Sequence, residues 1–356
     1  MANGQGPLAG VRIVEMEAIG PVPLAAMILA DMGADVVRLV RPGARTIGVL
    51  ERSRATVEAD LKSEDGQELA RSLLGKADVL LEGYRPGVME RLGLGPEQVQ
   101  ALNPRLVYGR MTGWGQTGPF AQMAGHDINY ISLTGALHAI GRAGEPPVPP
   151  LNLVGDYGGG AMFLVSGVLA AVIRARETGQ GDVVDVAMTE GTLTLLSMFH
   201  AFLAAGQWQD RPEANLLDGG AHFYRCYECA DGKYVAVGCL EPQFYSACLE
   251  GLRLDAADFP QFPPNRWPEL AQGFAARFRE KTRDEWAKIF AGTDACVTPV
   301  LSFAEAPSHP HNQARESVAV ANGVTQAAPA PRFANAATKI GPTEALSAQE
   351  AISRWS

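Results

Sequence analysis

Short β-rich runs alternate with helical runs through the first half of the chain, and this alternation restricts the fold more than any other feature. The strand candidates are VRIVEM (Val11 to Met16), ADVVRLVRP, ADVLLEGY (Ala77 to Tyr84), RLVYGRMTG (Arg105 to Gly113) and DVVDVAM (Asp182 to Met188). Helical segments such as LAAMILADMG and GQELARSLLG lie between them. Strands joined by helices form parallel sheets that are covered on both faces. The sequence therefore predicts an α/β fold with a large Rossmann-like domain built on a parallel sheet.

The character of the chain changes after about residue 205. YECADGKYVAVG (Tyr227 to Gly238) has two β-rich runs around Asp231-Gly232, a dipeptide that suits a tight hairpin turn. Helical patterns follow in PQFYSACLEGL and DEWAKIFAG. With 356 residues the chain exceeds one ordinary domain. We expect a large α/β domain over 1–200, a smaller α+β domain over 217–316, and a tail, 325–356, that returns to the large domain.

Charge and hydropathy exclude several classes of partner. The net charge is −9 and no lysine or arginine run is present, so neither nucleic acid nor an acidic membrane is expected as a partner. The run nearest to a membrane span, Ala161 to Ile173, is shorter than the roughly 18 residues that a span needs. It is typical of a buried helix.

The N-terminus and the cysteines indicate a cytoplasmic protein. MANGQGPLAG lacks the basic start and apolar run of a secretory signal. Five cysteines, an odd number in a long chain, favour free thiols in a reducing compartment. Cys226 and Cys229 form a CxxC motif without a second pair, so no metal or redox site is expected.

The first βαβ unit does not carry the pattern of a nicotinamide dehydrogenase. GxGxxG is absent, the first turn is AIGPVP, and the second strand is expected to end in Arg38 rather than in an acid. An arginine there suits a phosphate, because its planar fork gives two parallel charge-assisted hydrogen bonds. The alternative is a solvated arginine at a strand end. Lys62, Arg85 and Arg91 extend the same positive patch.

The stretch GHDINY places an imidazole beside a carboxylate. His126 follows Gly125 and precedes Asp127, and the polar pair Asn129-Tyr130 completes a loop that packing alone does not explain. A histidine titrates near neutrality and is the natural group to remove a proton and return it. The alternative is a hydrogen-bonded structural histidine.

The stretch GDYGGG precedes a long apolar segment, for which a helix from Tyr157 to about Glu177 is predicted. Asp156 stands where the N-cap of that helix belongs. Glycines 158–160 weaken the first turn by roughly 0.5–1 kcal/mol each relative to alanine. Capping alone gives no reason for them, so we expect a ligand to approach the backbone there. The positive end of the helix favours a developing oxyanion.

A catalytic histidine needs an orienting acid on its other nitrogen. Glu241, in LEPQFY directly after the strand candidate VAVGCL, is one candidate. A plain surface glutamate is the alternative.

Several independent stretches together resemble the α-methylacyl-CoA racemases of the family III CoA-transferase superfamily. They are GPVPLAAMILADMGADVVRLVRP, ADLKS, EGYRPGVMERLGLG, RMTGWGQTGP, GHDINYISLTG, NLVGDYGGGAMFLVSGVLAA, LDGGAHFYRCYECADGKYVAVGCLEPQFY and DACVTPVLSFAEA. The resemblance covers nearly the whole chain. It is weakest at 45–58 and after Phe333, and Val22 stands where relatives often have glycine.

The resemblance implies two domains per chain and two chains interlocked into a homodimer, with the active site between the large domain of one subunit and the small domain of the other. It implies an acyl-CoA thioester as substrate, with coenzyme A as part of that substrate and neither a prosthetic group nor a metal. His126 and Asp156 would be the two acid/base groups, and Glu241 would pair with the histidine across the subunit boundary. The nucleotide part of coenzyme A would be held by Arg38, Ala59, Asp60, Leu61, Lys62, Gly83, Tyr84 and Arg85.

This assignment predicts racemisation of 2-methylacyl-CoA thioesters through an enolate. Two bases must flank the α-carbon, and a donor must stabilise the enolate oxygen. We expect the N–H of Asp127 and the dipole of the Asp156 helix to do so, with Gly125 and Tyr130 beside the substrate. A poorly hydrated carboxyl at Asp156 would have its pKa raised towards that of histidine.

Two other functions stay open. In a family III CoA transferase Asp156 would act as the nucleophile and form an acyl-CoA anhydride intermediate. His126 favours the racemase, because a second base is of no use to a carboxylate nucleophile. A non-catalytic acyl-CoA binder is the third alternative.

Overall fold

The computed structural model describes residues 6–44 and 48–356, so part of the 45–58 stretch lies outside it. The chain divides into two compact units. The first comprises the described residues of Met1–Thr134 with Pro150–Ser197 and Pro310–Ser356, and the second comprises Gly135–Pro149 and Met198–His309. The sequence-based bounds assign 135–149 to the large domain, whereas in the structure this segment clusters with the second unit.

The strands lie as follows. They are β1 (Arg12–Met16), β2 (Asp35–Val40), β3 (Ala55–Glu58), β4 (Val79–Glu82), β5 (Val107–Thr112), β6 (Val183–Ala187), β7 (Tyr224–Glu228), β8 (Tyr234–Gly238), β9 (Val297–Pro299), β10 (Val318–Ala321), β11 (Val324–Ala327) and β12 (Glu344–Leu346).

The α-helices alternate with most of these strands. They are α1 (Pro21–Asp31), α2 (Glu64–Leu74), α3 (Val88–Arg91), α4 (Pro96–Leu102), α5 (Asp127–Ser132), α6 (Ala136–Ala139), α7 (Met162–Thr178), α8 (Met188–Leu195), α9 (Ser197–Ala204), α10 (Pro242–Leu252), α11 (Trp267–Phe278), α12 (Arg283–Phe290), α13 (Pro310–Ala314) and α14 (Ala348–Arg354). A π-helical segment, Leu153–Ala161, leads into α7. Short 3₁₀ turns occupy Gly48–Glu51, Pro264–Arg266 and Ala306–Ser308.

A seven-stranded parallel sheet runs through the first unit in the order β12-β3-β2-β1-β4-β5-β6. The predicted α/β fold on a parallel sheet is confirmed. Every residue of β4 and of β5 is buried, as expected of strands that are covered on both faces. The chain leaves the sheet centre in opposite directions from β1 and β4, and ligands bind outside the carboxyl ends of parallel strands at such a point.

Helix α1 begins earlier than the sequence indicated. Pro21, Val22 and Pro23, which precede the predicted segment LAAMILADMG, form the first turn of the helix. Proline is tolerated there, because the N–H groups of a first turn have no intrahelical acceptor. Gly20, the N-cap residue, has φ +74°, a conformation that other L-residues rarely adopt.

The helix after GDYGGG also begins earlier than predicted, so the assignment of Asp156 as its N-cap is wrong. The N-cap residue is Asn152, and Asp156 lies within the π-helical segment. Residues Leu153–Thr178 form 26 continuous helical residues that are long and apolar enough to cross a membrane, by length and composition alone. This helix is longer than the Ala161 to Ile173 run considered in the sequence. Its Leu164 and Val168 belong to the core beside β5.

The second unit contains the three-stranded antiparallel sheet β7-β8-β9. The predicted hairpin is confirmed, with Gly232 at φ +71° in the turn between β7 and β8. Helices α10, α11 and α12 pack an aromatic core beside this sheet, to which Phe274, Phe278 and Trp286 contribute. All five cysteines are free.

The C-terminal segment packs on the edge of the large sheet. Strand β12 pairs in parallel with β3, and Trp355 Nε1 donates to Asp35 Oδ2 at 2.9 Å. Charged side chains are buried beside this edge. Arg54 forms an ion pair with Glu15, and both side chains are fully inaccessible to solvent.

Candidate active site

A cavity of about 590 Å³ opens in the first unit where the loops after β1, β4, β5 and β6 meet. This is the position that the strand order favours for a ligand. His126 and Asp156 both line it. The other lining residues are Ile19, Gly20, Pro21, Val22, Gly83, Tyr84, Arg85, Pro86, Met111, Thr112, Gly113, Trp114, Ala121, Met123, Ala124, Gly125, Tyr130, Asn152 and Met188.

His126 is the N-cap residue of α5, and its side chain is exposed. The backbone N–H of His126 donates to Asn129 Oδ1 at 3.1 Å, and the N–H of Asn129 donates to the His126 carbonyl at 2.8 Å. This reciprocal cap fixes the start of the helix. It explains why asparagine stands three residues after the histidine.

Tyr130 holds the loop on which His126 stands. Its hydroxyl donates to the carbonyl of Gly125, and its ring packs edge-on against Trp114 at 4.9 Å between centroids. A Cβ at Gly125 would lie 2.7 Å from the Tyr130 ring, and one at Gly113 would lie 2.0 Å from it. Burial raises the pKa of Tyr130. The glycine of GHD is therefore required by the Tyr130 ring.

Asp127 is buried, with 6% of its surface exposed. Its Oδ2 accepts hydrogen bonds from the backbone N–H groups of Gly155 and Asp156, each at 2.7 Å. Its own N–H lies in the first turn of α5, where N–H groups have no intrahelical acceptor. The carboxylate therefore connects α5 to the π-helical segment, a role that the sequence did not reveal.

Asp156 is half-buried at the wall of the cavity. Asn152 Nδ2 donates to its Oδ2 at 3.2 Å, and a Cβ at Gly20 would lie 3.1 Å from the same oxygen. Burial raises the pKa of Asp156. The hydrogen bond from Asn152 opposes this effect, the charge of Asp127 adds to it, and His126 opposes it. The expectation that the pKa of Asp156 is raised therefore agrees with the structure.

Close packing of α8 gives a reason for glycine within the run that the sequence did not show. A Cβ at Gly159 would lie 2.7 Å from the nitrogen of Thr192 and 2.8 Å from the carbonyl oxygen of Met188. A Cβ at Gly191 would lie 1.9 Å from the carbonyl oxygen of Gly159. Gly159 and Gly191 allow α8 to pack directly on the backbone of the π-helical segment, so close helix packing gives the reason for Gly159. The approach of a ligand to the glycine run stays a prediction.

The residues predicted to hold the nucleotide are only partly brought together. Gly83, Tyr84 and Arg85 follow β4 and line the cavity. Residues 59–62 follow β3. Ala59 is buried and Lys62 is exposed, and the exposed Arg91 ends α3. None of these residues lines this cavity.

Glu82, the last residue of β4, accepts hydrogen bonds from the Tyr84 N–H at 2.7 Å and from Arg110 Nε at 2.9 Å, and burial raises its pKa to about 6.

Arg38 lies in the middle of β2 rather than at its end, and it is only 3% exposed. Its Nη1 donates to Glu51 Oε1 at 2.7 Å. It lines a separate cavity of about 620 Å³ bounded by the C-terminal residues 343–348. The solvated alternative is therefore wrong, and the expectation that Arg38 holds a phosphate stays a prediction.

Glu241 belongs to the second unit. It is the exposed N-cap residue of α10, where its carbonyl accepts from the N–H of Tyr245 at 2.9 Å. Its proposed pairing with His126 stays a prediction.

Sequence reasoning missed Asn152 and Gly20, both of which lie at the Asp156 carboxyl. Asn152 stands four residues before Asp156, a spacing at which helical side chains meet, and this signal was available. Within 6–44 and 48–356 no three His, Cys, Asp or Glu side chains are grouped so as to hold a metal ion.

Comparison with known proteins identifies the family of this chain. The model described as CoA-transferase family III matches residues 8–346, and the chain belongs to this family. The chain is 47% identical to the alpha-methylacyl-CoA racemase of Mus musculus over 87% of this chain and 82% of that protein. Identity to the Homo sapiens alpha-methylacyl-CoA racemase is also 47%, with the same coverage. The resemblance stated from the sequence is confirmed.

A solved structure has the same fold. A CaiB/BaiF family protein from Brucella suis superimposes with a TM-score of 0.82 and 25% sequence identity, and the match covers 98% of each chain.

Proposed function

We propose that this protein racemises 2-methylacyl-CoA thioesters by moving the proton of the carbon next to the thioester carbonyl. The observation that carries the proposal is the presence of His126 and Asp156 in one cavity. The 47% identity to two alpha-methylacyl-CoA racemases supports the substrate class.

The chemistry needs two groups in opposite protonation states. One of His126 and Asp156 takes the proton from one face of the α-carbon, and the other returns a proton to the opposite face. General acid/base help of this kind contributes about 10²–10⁴ in rate. The half-buried position of Asp156 raises its pKa towards that of an imidazole, which suits a reaction that must run in both directions.

The enolate oxygen needs a donor, and we assign this role to the backbone N–H of Asp127. Such donors contribute about 10²–10³. Gly125 and Tyr130 would form the adjoining wall. The helix dipole at Asp156 is not assigned a part, because that helix begins three residues earlier, at Leu153.

The remaining cavity wall suits a thioester with an apolar acyl group. Pro21, Met111, Trp114 and Met188 offer apolar surface. Arg85, at the cavity, is exposed and suits a phosphate of coenzyme A. Lys62 and Arg91 would extend this positive charge, whereas Arg38 would join them only by leaving Glu51.

We propose a homodimer in which Glu241 of the partner subunit pairs with His126. Exposed apolar side chains on α8 and α9 support a second copy. Leu193, Leu195, Met198 and Leu203 are each 41–49% exposed, and none of the described residues of α9 is buried. Large apolar side chains left exposed on a helix are typical of surfaces that a partner covers.

The proposal is tested by incubating the protein with a 2-methylacyl-CoA in D2O and following the α-proton signal by NMR. We expect loss of that signal from either enantiomer with wild-type protein, and loss from only one of the two enantiomers with His126→Ala. The runner-up is a CoA transferase with Asp156 as nucleophile, which the family model also fits. Hydroxylamine-sensitive labelling of Asp156, with transfer of coenzyme A to a free acid and no α-exchange, would establish the transferase instead.

A further inference from the structure

The Asp127 carboxylate joins the two segments that carry His126 and Asp156. Its Oδ2 accepts two main-chain hydrogen bonds at 2.7 Å, from Gly155 and Asp156. Its Oδ1 is buried without a hydrogen-bond partner among the described residues. A buried carboxylate is stable only when hydrogen bonds replace its hydration. The two N–H groups of the π-helical segment are therefore what holds this side chain in place.

The two N–H groups need this carboxylate in return. Gly155 and Asp156 lie in the first turn of the π-helical segment, where backbone donors have no intrahelical acceptor. The N-cap side chain normally satisfies such donors. Here the N-cap residue, Asn152, makes no capping hydrogen bond and instead donates to the Asp156 carboxyl. Asp127 of α5 supplies the cap from outside the helix.

Position 155 is shaped to admit the carboxylate. A Cβ at Gly155 would lie 2.7 Å from Asp127 Oδ2 and 3.1 Å from Ile131 Cγ2. Gly155 has no positive φ, so its backbone conformation alone does not require glycine. The close approach of the Asp127 carboxylate gives the reason for glycine at this position.

We propose that Asp127 is a positioning residue whose carboxylate ties the main chain at Asp156 to the helix that begins at His126, and so fixes the spacing of the two acid/base groups. This inference rests on the proposed racemase function. It concerns the side chain, and is separate from the substrate contact assigned to the N–H of the same residue. A displacement of about 1 Å of a catalytic group lowers the rate about 10²-fold.

The variants Asp127→Ala and Asp127→Asn separate the effect of the two hydrogen bonds from the effect of side-chain volume. Asp127→Ala removes both hydrogen bonds and is expected to lower kcat for racemisation about 10²-fold with little change in KM. Asp127→Asn keeps an oxygen that accepts both N–H groups and should recover at least about tenfold of that loss. Starting from each pure enantiomer in D2O, Asp127→Ala should slow exchange mainly from the enantiomer whose exchange Asp156→Asn abolishes.

A second variant leaves Asp127 itself unchanged. Gly155→Ala displaces the carboxylate and should reproduce the Asp127→Ala pattern. Its matched control is Gly75→Ala, where the nearest atom to an added Cβ is 3.5 Å away and φ is −62°; racemisation should stay at the wild-type rate.

Amide hydrogen exchange, measured by mass spectrometry, tests the hydrogen bonds between Asp127 and the π-helical segment without any substrate. Peptides covering Leu153–Ala161 should lose protection in Asp127→Ala and Gly155→Ala and keep it in Asp127→Asn. Unchanged protection, or equal slowing from both enantiomers, would overturn the inference. A wild-type protein that exchanges no α-proton would instead refute the proposed function, and with it the catalytic meaning of the tie.

Discussion

Oδ2 of Asp127 lies 2.7 Å from the backbone nitrogen of Asp156, so the neighbour of one proposed acid/base group holds the main chain of the other. The contact joins α5 to the π-helical segment within the first unit. Side chains that act on one substrate atom from two sides need such a fixed frame.

The acid limb of the rate profile should respond to the groups around Asp156. In the direction in which Asp156 accepts the proton, kcat/KM falls as pH drops through the pKa of Asp156, which burial raises above the ordinary value. Asp127→Asn removes a negative charge that raises this pKa, so the limb should move to lower pH. Asn152→Ala removes a hydrogen bond that lowers it, so the limb should move to higher pH. His126 and Tyr130 also face this carboxyl. Movement of the acid limb in the same pH direction for both variants would contradict the assignment of this limb to Asp156.

Gly159→Ala should destabilise the first unit by about 1–3 kcal/mol through overpacking. The added Cβ would meet backbone atoms of Thr192 and Met188 at 2.7 and 2.8 Å, and backbone cannot rotate away. The neighbouring variant Gly158→Ala is a matched control, because its nearest atom is 3.1 Å away, and it should cost less than about 1 kcal/mol. Urea unfolding of both variants measures the difference. Equal loss would contradict the packing account of the glycine run.

Arg54→Met should lower the free energy of unfolding by about 3–5 kcal/mol, because it leaves Glu15 buried without its main partner. Arg38 remains 3.7 Å from Glu15. Burial already raises the pKa of Glu15, and loss of Arg54 raises it further. The difference from wild type should therefore shrink as pH falls and Glu15 takes up a proton. Arg71→Met, which breaks an exposed pair with Glu68 and a 3.5 Å hydrogen bond to Gln67, should cost less than about 1 kcal/mol.

His222 should make the second unit sensitive to acid. The side chain is buried, its Nε2 lies 2.7 Å from the Tyr245 hydroxyl, and burial lowers its pKa to about 4. The unfolded chain binds a proton near pH 6.5, so between there and pH 4 the unfolded state binds more protons and stability falls as pH falls. Between pH 6.5 and pH 4 this effect lowers the free energy of unfolding by about 3 kcal/mol. His222→Phe should flatten this part of a urea-unfolding series between pH 4.5 and 7, and an unchanged slope would contradict the assignment.

The large sheet was predictable where burial makes strands visible in the sequence. Strands β1, β2, β4, β5 and β6 are short apolar runs between helices, and each was predicted. Strand β3 and its neighbour at the sheet edge, β12, escaped notice. They have only four and three residues, and they exist through pairing with neighbours distant in the chain.

Side-chain environments were less predictable than strands. Arg38 is buried because Glu51 and Glu15 meet it from other elements, and a local pattern does not show such partners. Gly159 depends on α8, about thirty residues further along the chain, and the Asp127 carboxylate depends on Gly155. The residue types in GHD and GDYGGG indicated acid/base chemistry. How these residues lie relative to one another could be seen only in the folded structure.

The central claim is that His126 and Asp156 serve opposite faces of one α-carbon. Its most direct test follows α-deuterium uptake from each pure enantiomer of a 2-methylacyl-CoA in D2O, with His126→Ala and Asp156→Asn. We predict that each variant loses racemisation but keeps exchange from one enantiomer, and that the enantiomer kept differs between the two variants. Racemisation at the wild-type rate by either variant, or retention of exchange from the same enantiomer by both, would contradict the claim.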